Sequence, residues 1–283
     1  MNTTAQTEIS LPAKEYWKHG EKVFYEINEI RQADAATFKI LDDVYGIDKN
    51  SVYCVGEEIK GLSPNDFVYL GDCYVKYWGK VWCGKRELNE ADFESFSAIG
   101  SHYAKDKNSV FAWGERLEEA AVSTFEPLAH LYSRDRNNVY YSTSRLAGAN
   151  AETFKVLNAR YAKDIANVYW WDRKIEQADA STFEVLGEEY AKDKNRVYYN
   201  SIPFEGADPE TFVALNGSYS KDKNHVYCTL KGIVKNADPK TFETMSVYGY
   251  GKDKNFIYKF GEIAATDDIS NDGVELLSVE ENL

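Results

Sequence analysis

An aspartate recurs in register along most of the chain, and a row of carboxylates is the feature with the most evident chemistry. The row consists of Asp48, Asp106, Asp135, Asp164, Asp193, Asp222 and Asp253. Stacked carboxylates could bind calcium between repeats. Most of these aspartates, however, precede Lys-Asn or a close variant, with no glycine and with an apolar residue where a further oxygen ligand is required. We therefore expect them to form turns, and we predict no metal site.

The histidines and cysteines show no spacing typical of metal or redox chemistry. His19, His102, His130 and His225 form no HxH or HExxH pattern, so zinc has weak support. Cys54, Cys73, Cys83 and Cys228 lack CxxC spacing, and we expect reduced thiols. A bridge between Cys54 and Cys83 is the alternative. Because no GxSxG motif or phosphate loop occurs either, we predict a protein that is not an enzyme and has no cofactor; a pocket built from several repeats is the enzymatic alternative.

The residues between these positions repeat every 29 positions. One column holds Val23, Val52, Val81, Val110, Val139, Val168, Val197 and Val226, and an aromatic residue follows each of them. A second column holds Phe38, Phe67, Phe96, Phe125, Phe154, Phe183, Phe212 and Phe242. Further columns contain Leu41 and Tyr45 with their equivalents. Each column occurs once per unit, so these residues can be buried only if neighbouring units stack.

Local chemistry predicts two elements per unit. Asp193-Lys-Asn195 lies between short apolar arms, which is typical of a hairpin turn. Asp208 followed by Pro209 indicates a helix N-cap and first helical position, and Phe212 and Leu215 would share one face of a two-turn helix. We predict an α+β fold, an elongated tandem-repeat solenoid with a β-hairpin and a short helix per unit. Such a unit is too small for a four-stranded propeller blade; a closed ring of eight units is the alternative.

The pattern also suggests boundaries. We predict an N-terminal extension over residues 1–15, a repeat domain of about eight units over residues 16–260, and a degenerate cap with an acidic tail over residues 261–283.

Asp106-Lys-Asn108, Asp193-Lys-Asn195 and Asp222-Lys-Asn224, each followed one residue later by valine and an aromatic residue, resemble the bacterial DKNYY family. The resemblance covers nearly the whole chain and implies a bacterial origin, but no activity or binding residue. The chain departs from the motif at His19, at Tyr77 and at Ile165-Ala166.

Composition narrows the choice of partner. The formal net charge is −13 and the pI is near 4.9. Nucleic acid and anionic membranes would repel such a surface, whereas a basic protein would be attracted. The first fourteen residues show no secretory signal and no segment is apolar enough to span a membrane, so we expect a cytoplasmic protein.

The variable strip between the aromatic column and the next cap is the predicted partner-binding surface, because recognition residues in repeat proteins occupy variable positions. Its candidate residues are Trp113, Arg116, Tyr141, Arg145, Trp170, Trp171, Arg173 and Tyr199. The alternative is that these rings only cover their own sheet edge. We expect a non-enzymatic protein-binding protein, in its narrower form an immunity-type protein that neutralises a bacterial toxin. A glycan-binding module that uses the repeated aromatic column is the alternative.

Overall fold

The computed structural model describes residues 15–216 and 218–265. These residues form small antiparallel sheets and divide into two compact units, with the boundary between residues 152 and 153. The predicted N-terminal extension and most of the predicted acidic tail lie outside the described residues.

In the first compact unit, five sheets follow one another, and in each the strands pair in chain order. Sheet 1 has three strands and sheets 2–5 have four each. The strands are β1 Tyr16–His19, β2 Lys22–Tyr25 and β3 Asn28–Glu29; β4 Lys39–Ile40, β5 Tyr45–Ile47, β6 Val52–Cys54 and β7 Glu57–Glu58; β8 Val68–Gly71, β9 Tyr74–Tyr77, β10 Lys80–Cys83 and β11 Arg86–Glu87; β12 Ser97–Gly100, β13 Tyr103–Lys105, β14 Val110–Ala112 and β15 Glu115–Arg116; β16 Glu126–Pro127, β17 Tyr132–Arg134, β18 Val139–Tyr141 and β19 Ser144–Arg145.

In the second compact unit, four sheets have the same order of strands. Their strands are β20 Lys155–Val156, β21 Tyr161–Lys163, β22 Val168–Trp170 and β23 Arg173–Lys174; β24 Glu184–Val185, β25 Tyr190–Lys192, β26 Val197–Tyr199 and β27 Ile202–Pro203; β28 Val213–Ala214, β29 Tyr219–Lys221, β30 Val226–Cys228 and β31 Gly232–Ile233; β32 Glu243–Thr244, β33 Tyr250–Lys252, β34 Ile257–Lys259 and β35 Glu262–Ile263.

The predicted α+β class, with a two-turn helix in each unit, is therefore wrong. Within the described ranges the helical content is one 3₁₀ turn, Pro64–Asp66, capped by Ser63, and no α-helix is present. At the other caps the chain makes a single turn, as where Phe38 N–H donates to Asp34 C=O at 2.9 Å. Lys39–Ile40 then pairs with β5 as a strand. The prediction that a unit is too small for four strands is also wrong, because short outer strands, of two residues in most cases, give every sheet after sheet 1 four strands.

No helix in the described part of the chain has the length and apolarity that a membrane crossing requires.

The predicted core columns are largely confirmed. The valine column from Val23 to Val226 is at most 2% exposed, and the phenylalanine column from Phe38 to Phe242 is at most 9% exposed. The column of Leu41 is only half-buried. A column that was not among the predicted core columns is buried instead, directly after the last strand of most sheets: Ile30, Leu88, Leu117, Leu146, Ile175 and Val234.

The tyrosine column ties each sheet to the next. Tyr74 Oη donates to the carbonyl of His102 at 2.9 Å and accepts from the N–H of Gly114 at 3.1 Å. Tyr103 Oη likewise donates to the carbonyl of Leu131 at 2.6 Å. Because both partners belong to the following repeat, these buried rings hold successive sheets in register.

The aspartate row forms turns, as predicted. Asp222 accepts four hydrogen bonds: from the N–H groups of Asn224 (2.7 Å) and His225 (2.8 Å) on Oδ1, and from Asp208 N–H (2.8 Å) and Tyr227 Oη–H (2.7 Å) on Oδ2. Asp48, Asp135, Asp193 and Asp253 repeat this arrangement. Each carboxylate therefore joins the hairpin turn, the preceding cap and the aromatic column.

These contacts predict an acid-sensitive fold. Burial raises the pKa of Asp222, but the four donors outweigh burial and the net shift is downward; the pKa values of Asp48, Asp135, Asp193 and Asp253 are lowered in the same way. A carboxyl group with a lowered folded-state pKa stabilises the fold above its unfolded pKa, and that contribution is lost as pH falls through the folded value. We expect the urea midpoint to be constant from about pH 7 to 5 and to fall steeply below about pH 4. A midpoint that is flat down to about pH 2 would contradict this role.

The expectation of four reduced thiols is wrong for two of them. Cys73 and Cys83 form a disulfide across the β9–β10 hairpin, whereas Cys54 and Cys228 are free and buried. The alternative bridge from Cys54 to Cys83 is also wrong. Disulfides persist in oxidising compartments, so the cytoplasmic prediction loses the support that it drew from reduced cysteines.

The disulfide is expected to stabilise the protein. It joins residues ten positions apart, and loop closure of that length contributes about 2–3 kcal/mol in the chain-entropy model. A phosphine reductant should therefore lower the free energy of unfolding by this amount. The double variant Cys73→Ser/Cys83→Ser should start at the lower value and not respond to the reductant; a response of the same size would show that reduction acts elsewhere.

Candidate partner-binding surface

The last two strands of most sheets are joined by a two-residue turn whose first residue has a positive φ. These first residues are Glu26, Val55, Gly84, Trp113, Ser142, Trp171, Asn200 and Phe260, with φ between 46° and 59°. Left-handed conformation suits glycine and asparagine, and it matches the twist of two-residue hairpins. The column is therefore dictated by the backbone, and large side chains in it are unexpected.

Trp113 is one of these large side chains. It is 43% exposed, and its indole stacks on the imidazole of His102 with ring centroids 3.5 Å apart. The turn is anchored to the preceding repeat, because Gly114 N–H donates to the buried Tyr74 hydroxyl. Gly114 also packs closely on that repeat, since a Cβ at this position would lie 3.0 Å from Cys83 Cβ. Trp113 is thus a half-exposed ring on a rigid support.

Trp171 occupies the same turn position in the second compact unit. It is 42% exposed and lies 5.1 Å, between ring centroids, from Trp170. Trp170 itself is buried, with its ring edge-to-face on Tyr161 at 4.7 Å and the Arg160 guanidinium 5.6 Å from its centre. Of this pair, Trp171 is therefore the ring that a partner could reach.

The arginines of the strip carry charge that is partly neutralised. Arg116 Nη1 lies 3.0 Å from Glu90, and Arg145 Nη1 lies 2.6 Å from Glu119. Arg173 has an 87% exposed side chain, and its Nε lies 3.9 Å from Asp172.

The two tyrosines of the strip are structural. Tyr141 packs edge-to-face on Tyr132, and Tyr199 packs on Tyr190, each at 4.9 Å between ring centroids. Both are half-buried. The structure thus leaves Trp113, Arg116, Arg145, Trp171 and Arg173 exposed, in two separate compact units, and takes Tyr141, Trp170 and Tyr199 into the packing.

One exposed ring was missing from the predicted surface. Trp78 is 55% exposed, with a φ of 51°, and forms a tight turn with Gly79 where most repeats have Asp-Lys-Asn. A cleft of about 250 Å³ beside it is lined by Tyr77, Trp82, Glu58 and Lys85 among others. A Trp-Gly pair between apolar arms was the signal that could have identified it.

The aromatic column is not available as a row of sugar platforms. Tyr53, Tyr140, Tyr169, Tyr198 and Tyr227 are at most 2% exposed, and their hydroxyl groups donate to the aspartate row. Among the residues that the structure describes, no group of three or more His, Cys, Asp or Glu side chains could hold a metal ion.

Comparisons with known proteins give one sequence match. A family model described as the DKNYY family matches residues 16–144 and, in an overlapping placement, residues 74–202, which together are more than half of the chain. No curated protein matches. Among solved structures, the crystal structure of the computationally designed Ika8 protein matches 88% of this chain and 94% of that chain, with 12% identity and a TM-score of 0.22, which supports no conclusion about the fold.

Proposed function

The chain belongs to the DKNYY family, and from this premise we propose that it is a non-enzymatic protein-binding repeat protein whose contact residues are the exposed tryptophans at its hairpin turns. The repeated motif residues are used within the fold, as the aspartate row shows. We therefore assign binding to residues that differ from the repeated motif and are not needed to form the sheets.

The observation that carries the proposal is the conformation of Trp78, Trp113 and Trp171. Each has a φ between 51° and 53° and is 42–55% exposed. A bulky residue in the left-handed region costs about 1–2 kcal/mol, which glycine or asparagine at the same turn position would avoid. Strain retained at an exposed position suggests a function, and tryptophan is the residue most enriched in interface hot spots.

Charge favours a basic partner. The net charge of −13 attracts cationic proteins at long range, and the acidic partners of Arg116 and Arg145 keep the predicted strip from being strongly positive. The narrower proposal is an immunity-type protein that neutralises a basic toxin domain. That role places the protein in the cytoplasm, which the Cys73–Cys83 disulfide does not favour.

The test uses the purified full chain as bait in an extract of its source cells, beside the variants Trp113→Asn and Ser142→Asn. Both substitutions place asparagine at the same turn position. The proposal expects a basic protein retained by the wild type and by Ser142→Asn, but not by Trp113→Asn. Identical captures by all three baits would contradict it, as would saturable binding of cell-wall glycans that requires Trp113.

The immunity role is tested separately. If a toxin gene adjoins the gene of this chain, co-expression of the two should protect cells, and Trp113→Asn should reduce protection. Growth arrest of cells that express both proteins fully would contradict the immunity role. Protein binding would then still be tested by the capture experiment.

A further inference from the structure

One ion pair recurs between the cap of a repeat and the hairpin turn that follows it. The cap aspartate lies within ion-pair distance of the cation after the turn aspartate in five repeats: Asp34–Lys49 (2.5 Å), Asp92–Lys107 (2.7 Å), Asp179–Lys194 (2.7 Å), Asp208–Lys223 (2.7 Å) and Asp238–Lys254 (2.9 Å). The cap carboxylate also accepts hydrogen bonds from the residue two or three positions after it. In the fourth pair, Thr211 N–H and Oγ1–H donate to Asp208 Oδ1 at 3.0 and 2.8 Å.

Two other repeats carry neither charge. Ser63 stands at the cap that corresponds to Trp78, and Asn150 stands at the cap that corresponds to Ile165. In these repeats the acid and the cation are absent together, so no charge is left without its counterpart.

The remaining repeat keeps the cation without the acid. Ala121 stands at the cap and Arg136 follows the turn aspartate. The backbone geometry is retained, because Arg136 N–H donates to Thr124 Oγ1 at 3.2 Å, as Lys223 N–H does to Thr211 at 3.0 Å. Thr124 N–H donates to the carbonyl of Ala121 at 3.0 Å, a bond that Thr37 N–H also makes to its own cap carbonyl, and Thr124 Oγ1–H donates to the same Ala121 carbonyl at 3.3 Å. The donors that bind a carboxylate elsewhere are thus present without one.

The guanidinium of Arg136 is available. It forms no ion pair with any residue in ranges 15–216 and 218–265. It lines a cleft of about 710 Å³ together with Ser123, Thr124, Arg134 and Glu152 among others. The neighbouring cation is already engaged, because Arg134 Nε lies 2.7 Å from Glu126 and its Nη1 donates to the carbonyl of Ala151. A ligand entering the cleft therefore meets Arg136.

We propose that Arg136 and Thr124 form a binding site for a carboxylate supplied by a ligand, which takes the place that aspartate occupies in five other repeats. Arginine in place of lysine suits this role, since its planar fork binds a carboxylate through two parallel hydrogen bonds. Glu126, Asp135 and Glu152 also line the cleft, and their negative charges repel a multiply charged anion more strongly than a singly charged one. The ligand is therefore a monoanionic carboxylate, from either a free carboxylic acid or an acidic side chain of a peptide.

The test follows the Arg136 Nε–H and Thr124 amide NMR signals of the full chain during titration with acetate, with acetyl-Gly-Asp-Gly-amide and with its Asn counterpart. Acetate and the Asp peptide should shift both signals saturably, and the Asn peptide should not. Equal affinities for acetate and the Asp peptide identify a free carboxylate as sufficient, whereas at least tenfold tighter peptide binding identifies an acidic peptide. Absence of a saturable shift, or tighter binding of inorganic phosphate than of acetate, would overturn the proposal.

The decisive variant supplies the missing acid within the chain. Ala121→Asp should pair with Arg136, weaken carboxylate binding at least tenfold and raise the thermal midpoint by about 2–4 °C, since it restores both a cap and an ion pair. Arg136→Gln should lose binding, whereas Arg31→Gln, at an exposed arginine outside this cleft and outside the predicted partner-binding surface, should not. Unchanged carboxylate affinity in Ala121→Asp would show that the ligand binds elsewhere. Because this site shares no residue with the exposed tryptophans, its failure would leave the proposed protein-binding function untouched.

Discussion

Replacing Asp222 with alanine is expected to lower the free energy of unfolding by about 3–5 kcal/mol. The carboxylate is 4% exposed and accepts hydrogen bonds from three N–H groups and from the Tyr227 hydroxyl. Alanine removes the acceptor and leaves four donors in a space that water reaches poorly. Each buried donor without a partner costs about 1–3 kcal/mol, and local rearrangement recovers part of the sum. Urea unfolding followed by circular dichroism measures the loss.

Three further variants separate the contributions at this position. Asp222→Asn should cost less, about 1–3 kcal/mol, because its amide oxygen still accepts from Asn224 and His225. Tyr227→Phe removes one of the four bonds and should cost about 1 kcal/mol. Asp43→Ala, at an exposed aspartate, should stay within about 0.5 kcal/mol of the wild type. If Asp222→Ala resembled Asp43→Ala, the aspartate row would not be the structural element inferred here.

Periodicity predicted the buried columns because the same backbone geometry recurs in each repeat, so that a valine or a phenylalanine meets the same neighbours each time. The turn role of the aspartates was predictable for a related reason. An aspartate that accepts from N–H groups two and three residues later, as Asp222 does, makes contacts within its own segment. Its bonds to Asp208 and Tyr227 depend on the fold and could not be predicted from local sequence.

The predicted helix failed because capping residues mark where a helix begins and not how far it continues. Asp208 and Thr211 cap a turn as expected, but Val213–Ala214 pairs with β29 directly afterwards. Tyr219 follows only seven positions after Phe212, and an isolated helix of that length is marginal. Pairing with the neighbouring strand satisfies the same backbone groups within a sheet.

The candidate surface was predicted in part. Trp113 and Trp171 are exposed because the turn directs them away from the sheet, whereas Trp170 lies one residue earlier on a strand that is buried along its whole length. Residue type cannot distinguish these positions, because only the fold shows that both faces of the strand Val168–Trp170 are buried. The Cys73–Cys83 bridge was missed for a similar reason, since it joins residues within one hairpin and not residues of one column.

Trp113→Asn is expected to weaken binding of the captured partner at least thirtyfold, which corresponds to a hot-spot loss of about 2 kcal/mol, while the thermal midpoint changes little. Asparagine followed by Gly114 is a favoured pair for this left-handed turn, so the gain in turn conformation offsets the lost stacking on His102. Isothermal titration calorimetry with the purified partner measures the first effect and thermal unfolding the second. A variant that loses binding and stability together would indicate that Trp113 is a packing residue. Unchanged affinity would exclude it from the interface, and Ser142→Asn controls for the effect of asparagine at the same turn position.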